Sequence, residues 1–285
     1  FQDDAATTHD GSGLVLYKFL HDRIQQAAYS LLTAVEKPHT HLSIGRLMLE
    51  QLAQPELAHR LFDIANNISL GKALVTDPNE QYRSGQLLLK AAYKARKSIA
   101  YPIASQYCHA GIDLLGAKAW QQQRTLIQEL YEVGAEVAYL NSDFERAEAL
   151  IAVVLEQAHT VLEKIPSYRI KILADIIQNR TSEALKPGLK KLSELKDRYP
   201  SEPGTDSKLI DNLKTKVLLG RRSVSSLANS LLMQDALAKA KSVIIKAILP
   251  AAYISAPSLY PLLIFKQIEL LLKYGNNDAA PSAYG

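Results

Sequence analysis

Apolar residues recur at intervals of three and four along almost the whole chain after residue 22, a period that predicts a body built of α-helices. Before it, Leu14 to Leu20 is a mostly apolar run opened by Gly11-Ser12-Gly13, the pattern of a short buried strand. Asp22 follows as a helix cap, with Gln25 placed to complete a capping box and Ile24, Ala27, Ala28, Leu31 and Leu32 on one helical face. Further helices are expected over 41–53 and over 56–68, the second closing near Gly71. Asp77-Pro78-Asn79-Glu80 starts another, with Asp as cap, Pro in the first helical position and Glu in the box, running to Lys97. The same period predicts helices over 100–115, 121–140, 143–163, 167–179, 182–196, 208–219, 235–249 and 258–273. Two prolines and a glycine between Tyr199 and Asp206 forbid a continuous helix there, and Gly275 to Gly285 reads as an unstructured tail.

A second regularity lies inside the helical body. Alanines stand twelve residues apart at Ala92/Ala104, Ala135/Ala147 and Ala228/Ala240, with Ile172/Ala184 as a degenerate member. One small residue on each of two antiparallel helices lets their backbones approach, where a larger side chain would hold them apart. The interval is that of a tetratricopeptide-like hairpin. Asn141-Ser142-Asp143 supplies the turn and cap of the best one, over 121–163. The first members of successive pairs are 43, 37 and 56 residues apart, so an irregular right-handed solenoid is expected rather than an even array.

Composition narrows the class. In 285 residues, 47% are apolar and 22% charged, ordinary for a folded chain of one or two domains. The 33 basic against 29 acidic residues leave a net charge of +4, too small an excess to make nucleic acid the expected partner. A single Cys108 excludes an internal disulfide, a zinc ribbon and a CxxC redox pair, and the expected compartment is the cytoplasm. No run of eighteen apolar residues occurs, and the first residues, with Asp3, Asp4 and His9, lack a signal peptide's basic and apolar regions. Phe1 is not a start and the ending Ser282 to Gly285 carries no stop signal, so a segment of a longer protein is expected.

Catalytic constellations are absent by pattern. There is no GxxxxGK[ST] phosphate loop, no kinase glycine loop with its HRD and DFG partners, and no GxSxG nucleophile elbow. His39 and His41, with His59 beyond, stand near a proline and a helix start where the two rings diverge, so a surface loop is favoured over a metal site. Cys108 and His109 are neighbours on a helix and cannot face each other as a dyad. Lysines and arginines cluster at Lys90, Lys94, Arg96 and Lys97, at Lys186, Lys190, Lys191, Lys196 and Arg198, and at Arg221-Arg222; each cluster reads as a solvated helix face. Tyr93, Tyr101, Tyr107, Tyr131 and Tyr139 fall at helical spacing, packed between helices, with a subset available to line a groove for a partner segment.

The stretch Tyr17 to Leu32, YKFLHDRIQQAAYSLL, then HLSIGRLML, LFDIANNISLG, AYPIASQYCHAGIDLLG, AEVAYLNSDFERAEALI, PAAYISAP and KYGN, form an ordered series. In that order they resemble the region following the AAA-type ATPase module in large bacterial multi-sensor proteins that carry serine/threonine kinase and histidine kinase modules. Leu20-His21-Asp22 resembles the motif closing the winged-helix domain of STAND-type signalling NTPases, whose histidine reaches the phosphates of bound ADP. The resemblance implies a mainly α fold: the end of a winged-helix domain over 1–70 with connecting helices, tetratricopeptide-like repeats over 71–199, and further repeats and tail over 200–285. It implies no catalytic residue and no metal in this segment, nucleotide sensing at His21, and ATP or ADP held by an upstream module. Two functions follow as expectations. The first is a regulatory scaffold that binds the ATPase, sensor and kinase modules of its own polypeptide, or a partner segment in its groove. The alternative is a winged-helix transcriptional regulator with a helical sensor region, although Arg23, Gln25 and Gln26 make no dense basic edge for DNA.

Overall fold

Thirteen α-helices and no strand are present among the described residues, which in this computed structural model are 22–199 and 231–277. They are α1 (Asp22–Ser30), α2 (Glu36–Gln51), α3 (Gln54–His59), α4 (Leu61–Gly71), α5 (Pro78–Lys97), α6 (Tyr101–Leu115) and α7 (Ala119–Gln122). There follow α8 (Arg124–Leu140), α9 (Phe144–Gln157), α10 (Val161–Ile177), α11 (Thr181–Glu194), α12 (Ala236–Ser255) and α13 (Tyr260–Tyr274). The fold is an all-α, solenoid-like one. The expected strand at Leu14 to Leu20, the winged-helix corner at His21, the helix over 208–219, Ala228 and Arg221-Arg222 lie outside the described residues. The chain divides into two compact units, 1–84 and 85–285.

In the first unit, close approach of α2 and α4 is made possible by glycine. A Cβ on Gly71 would stand 2.9 Å from both the Leu42 nitrogen and the Pro38 carbonyl oxygen, backbone atoms that cannot yield. A Cβ on Gly45 would meet Ile68 Cγ1 at 3.1 Å. These contacts account for HLSIGRLML and LFDIANNISLG as packing motifs. Helix α2 begins at Glu36, ahead of the expected 41, behind a turn in which Thr33 and Glu36 bond reciprocally in the manner of a capping box. The Glu36 N–H donates to Thr33 Oγ1 at 3.2 Å and the Thr33 N–H to Glu36 Oε2 at 2.8 Å, a bond that holds the Glu36 carboxyl below its usual range. Pro38 therefore sits in a first helical turn, where its missing N–H costs nothing.

The second unit is built of helical hairpins whose turns are alike. Helices α5 and α6, α8 and α9, and α10 and α11 are each joined by three residues, the middle one left-handed: Ile99 (φ 61), Ser142 (φ 61) and Asn179 (φ 59). In each, the third turn residue donates back into the preceding helix, Ala100 to Ala95 O, Asp143 to Ala138 O and Arg180 to Asp175 O, at 2.8–2.9 Å, which closes the helix end. The twelve-residue pairs flank these turns symmetrically: Ala92, Ala104, Ala135, Ala147, Ile172 and Ala184 are all buried, with Ala104, Ala147 and Ala184 each fourth in its helix. The hairpin of α12 and α13 has a connection one residue longer, and there Ala251 and Leu263, also twelve apart, are fully buried. Ala240 is buried in α12.

Two expected boundaries are corrected. The helix expected over 143–163 breaks at Gln157, and α10 starts at Val161, because Thr160 Oγ1 accepts from the Glu163 N–H and Glu163 Oε2 from the His159 N–H. Pro166 and Pro250 lie inside α10 and α12, which extend past the expected bounds of 167 and 249, while Pro187 lies inside α11 within the helix expected over 182–196. Side chains of α10 to α13, among them Ile172, Leu192, Ile244, Ile248 and Leu263, then share one apolar core with Met233, which precedes α12.

Ile99 is the strained member of the turn series. A β-branched residue at positive φ crowds its own carbonyl, and Ile99 gains little in return, being 72% exposed. Ile99→Gly is expected to stabilise the chain by about 1 kcal/mol, the strain relieved less the extra chain entropy of glycine. Thermal denaturation checks it. A lower melting temperature would mean that Ile99 is held by contacts beyond its own turn.

Candidate interaction face

Helices α5, α8 and α10 open three successive hairpins, and their polar side chains meet in one seam. Arg96 on α5 pairs with Glu136 on α8, whose other carboxylate oxygen lies 3.1 Å from the Arg169 guanidinium on α10. One carboxylate thus bridges two guanidinium groups from different hairpins, and each side chain is largely withdrawn from water. Beside them the Tyr93 ring lies 5.2 Å from the Arg96 guanidinium carbon, and burial pushes its phenol pKa up.

A cavity of about 280 Å³ continues the seam, lined by Arg124, Thr125, Gln128, Glu129, Glu132 and Glu163. Arg124 donates to the Gln157 carbonyl and stands 3.3 Å from Glu163 Oε2. The Glu163 carboxyl is held below its usual range, first by the His159 N–H. Gln128 Nε2 donates to Glu132 Oε1 at 2.8 Å and to the Glu163 carbonyl at 3.0 Å. Glu132 is unlike its neighbours. Burial pushes its carboxyl pKa up against the opposing hydrogen bond from Gln128, and Glu129 adds like charge. A carboxylate kept where ionisation is disfavoured is a common mark of a binding surface, though structural networks make it too.

A second cavity of about 200 Å³ lies between α12 and α13, where Lys241, Lys266 and Lys273 face Asp235 and Glu269. Asp197 pairs with two of these lysines, 3.1 Å from Lys241 Nζ and 3.6 Å from Lys266 Nζ.

His21 lies outside the described residues. His41 is drawn into packing: its Nδ1–H donates to Asn67 Oδ1 at 2.8 Å and its Nε2 is 3.1 Å from the Tyr29 hydroxyl, while His39 and His59 are exposed and apart from it in role. Cys108 is buried, and desolvation pushes its thiol up to about 12, so it stays protonated and inert. His109 instead approaches Asp113 at 3.7 Å. The basic clusters divide: Lys90, Lys94, Lys97, Lys186, Lys190, Lys196 and Arg198 are exposed, whereas Lys191 is buried beneath the Tyr168 ring and bonded to Glu194 at 2.6 Å. Among the tyrosines, Tyr107 is fully buried, Tyr131 packs on Trp120 with ring centroids 5.5 Å apart, and Tyr101 and Tyr139 are half-buried. Glu132, Glu136 and Arg169 were not singled out by the sequence, where charges three and four apart on a helix read as ordinary solvated faces.

No family model and no solved structure matches the chain. It is similar to the hybrid signal transduction histidine kinase G of Dictyostelium discoideum, 25% identical over 171 residues that take in 52% of this chain. The chain spans only 5% of that protein's length, so the similarity concerns one segment of a very large signalling kinase.

Proposed function

We propose that this chain is a non-catalytic regulatory scaffold within a larger signal-transduction ATPase-kinase, relaying nucleotide state between modules through protein contacts. The observation that carries the reading is the likeness to one segment of a signal-transduction histidine kinase many times longer than this chain. The seam supports it, since Arg96, Glu136 and Arg169 couple three hairpins and a displacement at one is felt at the next. In this reading ATP or ADP is held by an upstream module, His21 senses its phosphates at a winged-helix corner, and the hairpins, of tetratricopeptide-like kind, present the seam to a sensor or kinase module. No helix of the described residues is long and apolar enough to cross a membrane.

The test uses the full-length protein. His21→Ala is expected to weaken nucleotide binding at least tenfold, about 1.4 kcal/mol, and to change kinase output. Glu132→Gln is expected to change output with the fold intact. Because the folded-state pKa of Glu132 is raised, stability from its protonated form is present below the unfolded pKa and lost as pH rises. The amide variant should therefore melt higher than the wild type at pH 7, with the difference shrinking at pH 4. Unchanged nucleotide affinity and unchanged output in both variants would overturn the relay.

A further inference from the structure

Helix α8 carries three carboxylates along one side, and the fold compensates only one of them. Glu129, Glu132 and Glu136 stand three and four residues apart and so share a helical face. Glu136 is held between the guanidinium groups of Arg96 and Arg169. One turn back, Glu132 accepts from Gln128 Nε2 at 2.8 Å, but among the described residues no ammonium or guanidinium comes within ion-pair distance of Glu132 or Glu129. The two nearest cations are committed elsewhere, Arg124 to Glu163 and the Gln157 carbonyl, Arg169 to Glu136. The cavity of about 280 Å³ that opens here is therefore lined by one arginine against three glutamates. Tyr93, on another helix, feels the same field: after burial, the charges of Glu129, Glu132 and Glu136 push its phenol pKa up against the opposing pull of Arg96.

We propose that this cavity seats an arginine side chain from a partner protein segment, whose guanidinium pairs with Glu132 and Glu129 as Arg96 and Arg169 pair with Glu136. The proposal rests on the scaffold reading for its choice of a protein as the partner. Charge complementarity selects the side chain, because a half-buried carboxylate without a counter-ion is costly and a cation from outside relieves it. The seam also shows which cation its carboxylates take, since Arg96, Arg124 and Arg169 are the groups that meet Glu136 and Glu163 within it. A planar guanidinium presents five N–H donors and can serve two carboxylates at once. A metal ion does not suit the place: among the described residues no three His, Cys, Asp or Glu side chains are grouped to hold one. Size points the same way, for small-molecule pockets span about 300–1,000 Å³ and this cavity falls just short of them, on the scale of a single long side chain.

The experiment titrates the whole chain, labelled with ¹⁵N, with the capped pentapeptide Gly-Ser-Arg-Ser-Gly and with its counterpart in which uncharged, isosteric citrulline replaces arginine. The arginine peptide is expected to shift the backbone amides of α8 from Thr125 to Glu136 in a saturable way, and the citrulline peptide to bind about fivefold more weakly or less. Glu132→Gln and Glu129→Gln should each weaken the arginine peptide by about fivefold, whereas Glu145→Gln, exposed on α9, should leave it unchanged. The higher melting temperature expected of Glu132→Gln at pH 7 separates lost binding from lost fold. Equal affinity for the two peptides would overturn the proposal, and so would full affinity in Glu132→Gln or an absence of shifts in α8. The relay is judged separately, by nucleotide affinity and kinase output in His21→Ala; it can fail while arginine binds, and it can stand while arginine does not.

Discussion

Gly275→Ala is expected to cost about 3 kcal/mol or more and to release the end of the described chain. Gly275 closes α13 at φ 100 and ψ 175, a conformation that residues with a Cβ adopt only under strain of about 1–3 kcal/mol. The added Cβ would also stand 2.2 Å from the Leu231 carbonyl oxygen, which is backbone and cannot rotate away. That oxygen is already committed, accepting from the Asn276 N–H at 2.8 Å, while the Met233 N–H donates to the Asn276 carbonyl at 2.8 Å. Leu231 to Met233 and Gly275 to Asn277 thereby form a clip. Asn277 Nδ2 anchors it to the buried Ser242 hydroxyl at 2.8 Å, and Gln267 donates to the same oxygen. Gly116→Ala is the control: at φ 63 and ψ −176 it occupies the same region of backbone space, but nothing lies within 4 Å of the added atom, so only the backbone strain of about 1–3 kcal/mol is expected, without the clash. Melting curves of the two variants check this, and equal shifts would mean that the clip does not form.

The KYGN motif shows what the sequence could and could not reveal. Gly275 was legible as a helix stop but was read as the start of an unstructured tail, because the isolated bridge between Asn276 and Leu232 depends on a partner far away in sequence. Periodicity located the helices well, since each buries an apolar stripe, and the small-residue interval located the turns. Asn141-Ser142-Asp143 was legible as a turn because serine between asparagine and aspartate suits a tight left-handed corner followed by a cap; Asp143 Oδ1 does accept from the Arg146 N–H. Ser98-Ile99-Ala100 was not, since isoleucine disfavours the conformation it adopts. The boxes Thr33 to Glu36 and Thr160 to Glu163 were present in the sequence, yet the prolines at 38 and 166 drew the boundaries away from them. The seam was illegible for another reason. Arg96, Glu136 and Arg169 are far apart in sequence, and only the stacking of hairpins makes one carboxylate serve two guanidinium groups.

Arg180→Met is expected to cost about 3 kcal/mol. Arg180 ends the turn between α10 and α11, and its guanidinium lies 2.6 Å from Asp175, which is 4% exposed, as well as near Glu148 and Glu183. Removing the cation strands a buried carboxylate with Lys171 as its remaining partner, at 3.9 Å; breaking a buried pair costs about 3–5 kcal/mol, and the part-exposed guanidinium sets the lower end. In the Asp175→Asn background the same replacement should cost about 1 kcal/mol, since no charge is left behind. Equal losses in both backgrounds would assign the role of Arg180 to packing instead. The other hairpins give the reason this pair is singular. Where Arg180 donates its N–H to Asp175, the matching residues are Ala100 with Ala95 and Asp143 with Ala138, and both acceptor alanines are buried. The third hairpin puts a charge in that small-residue place and supplies its counter-ion from the turn, just as it puts Ile172 where the first two have alanine. Its sequence therefore departs from the repeat at the positions where its backbone keeps to it.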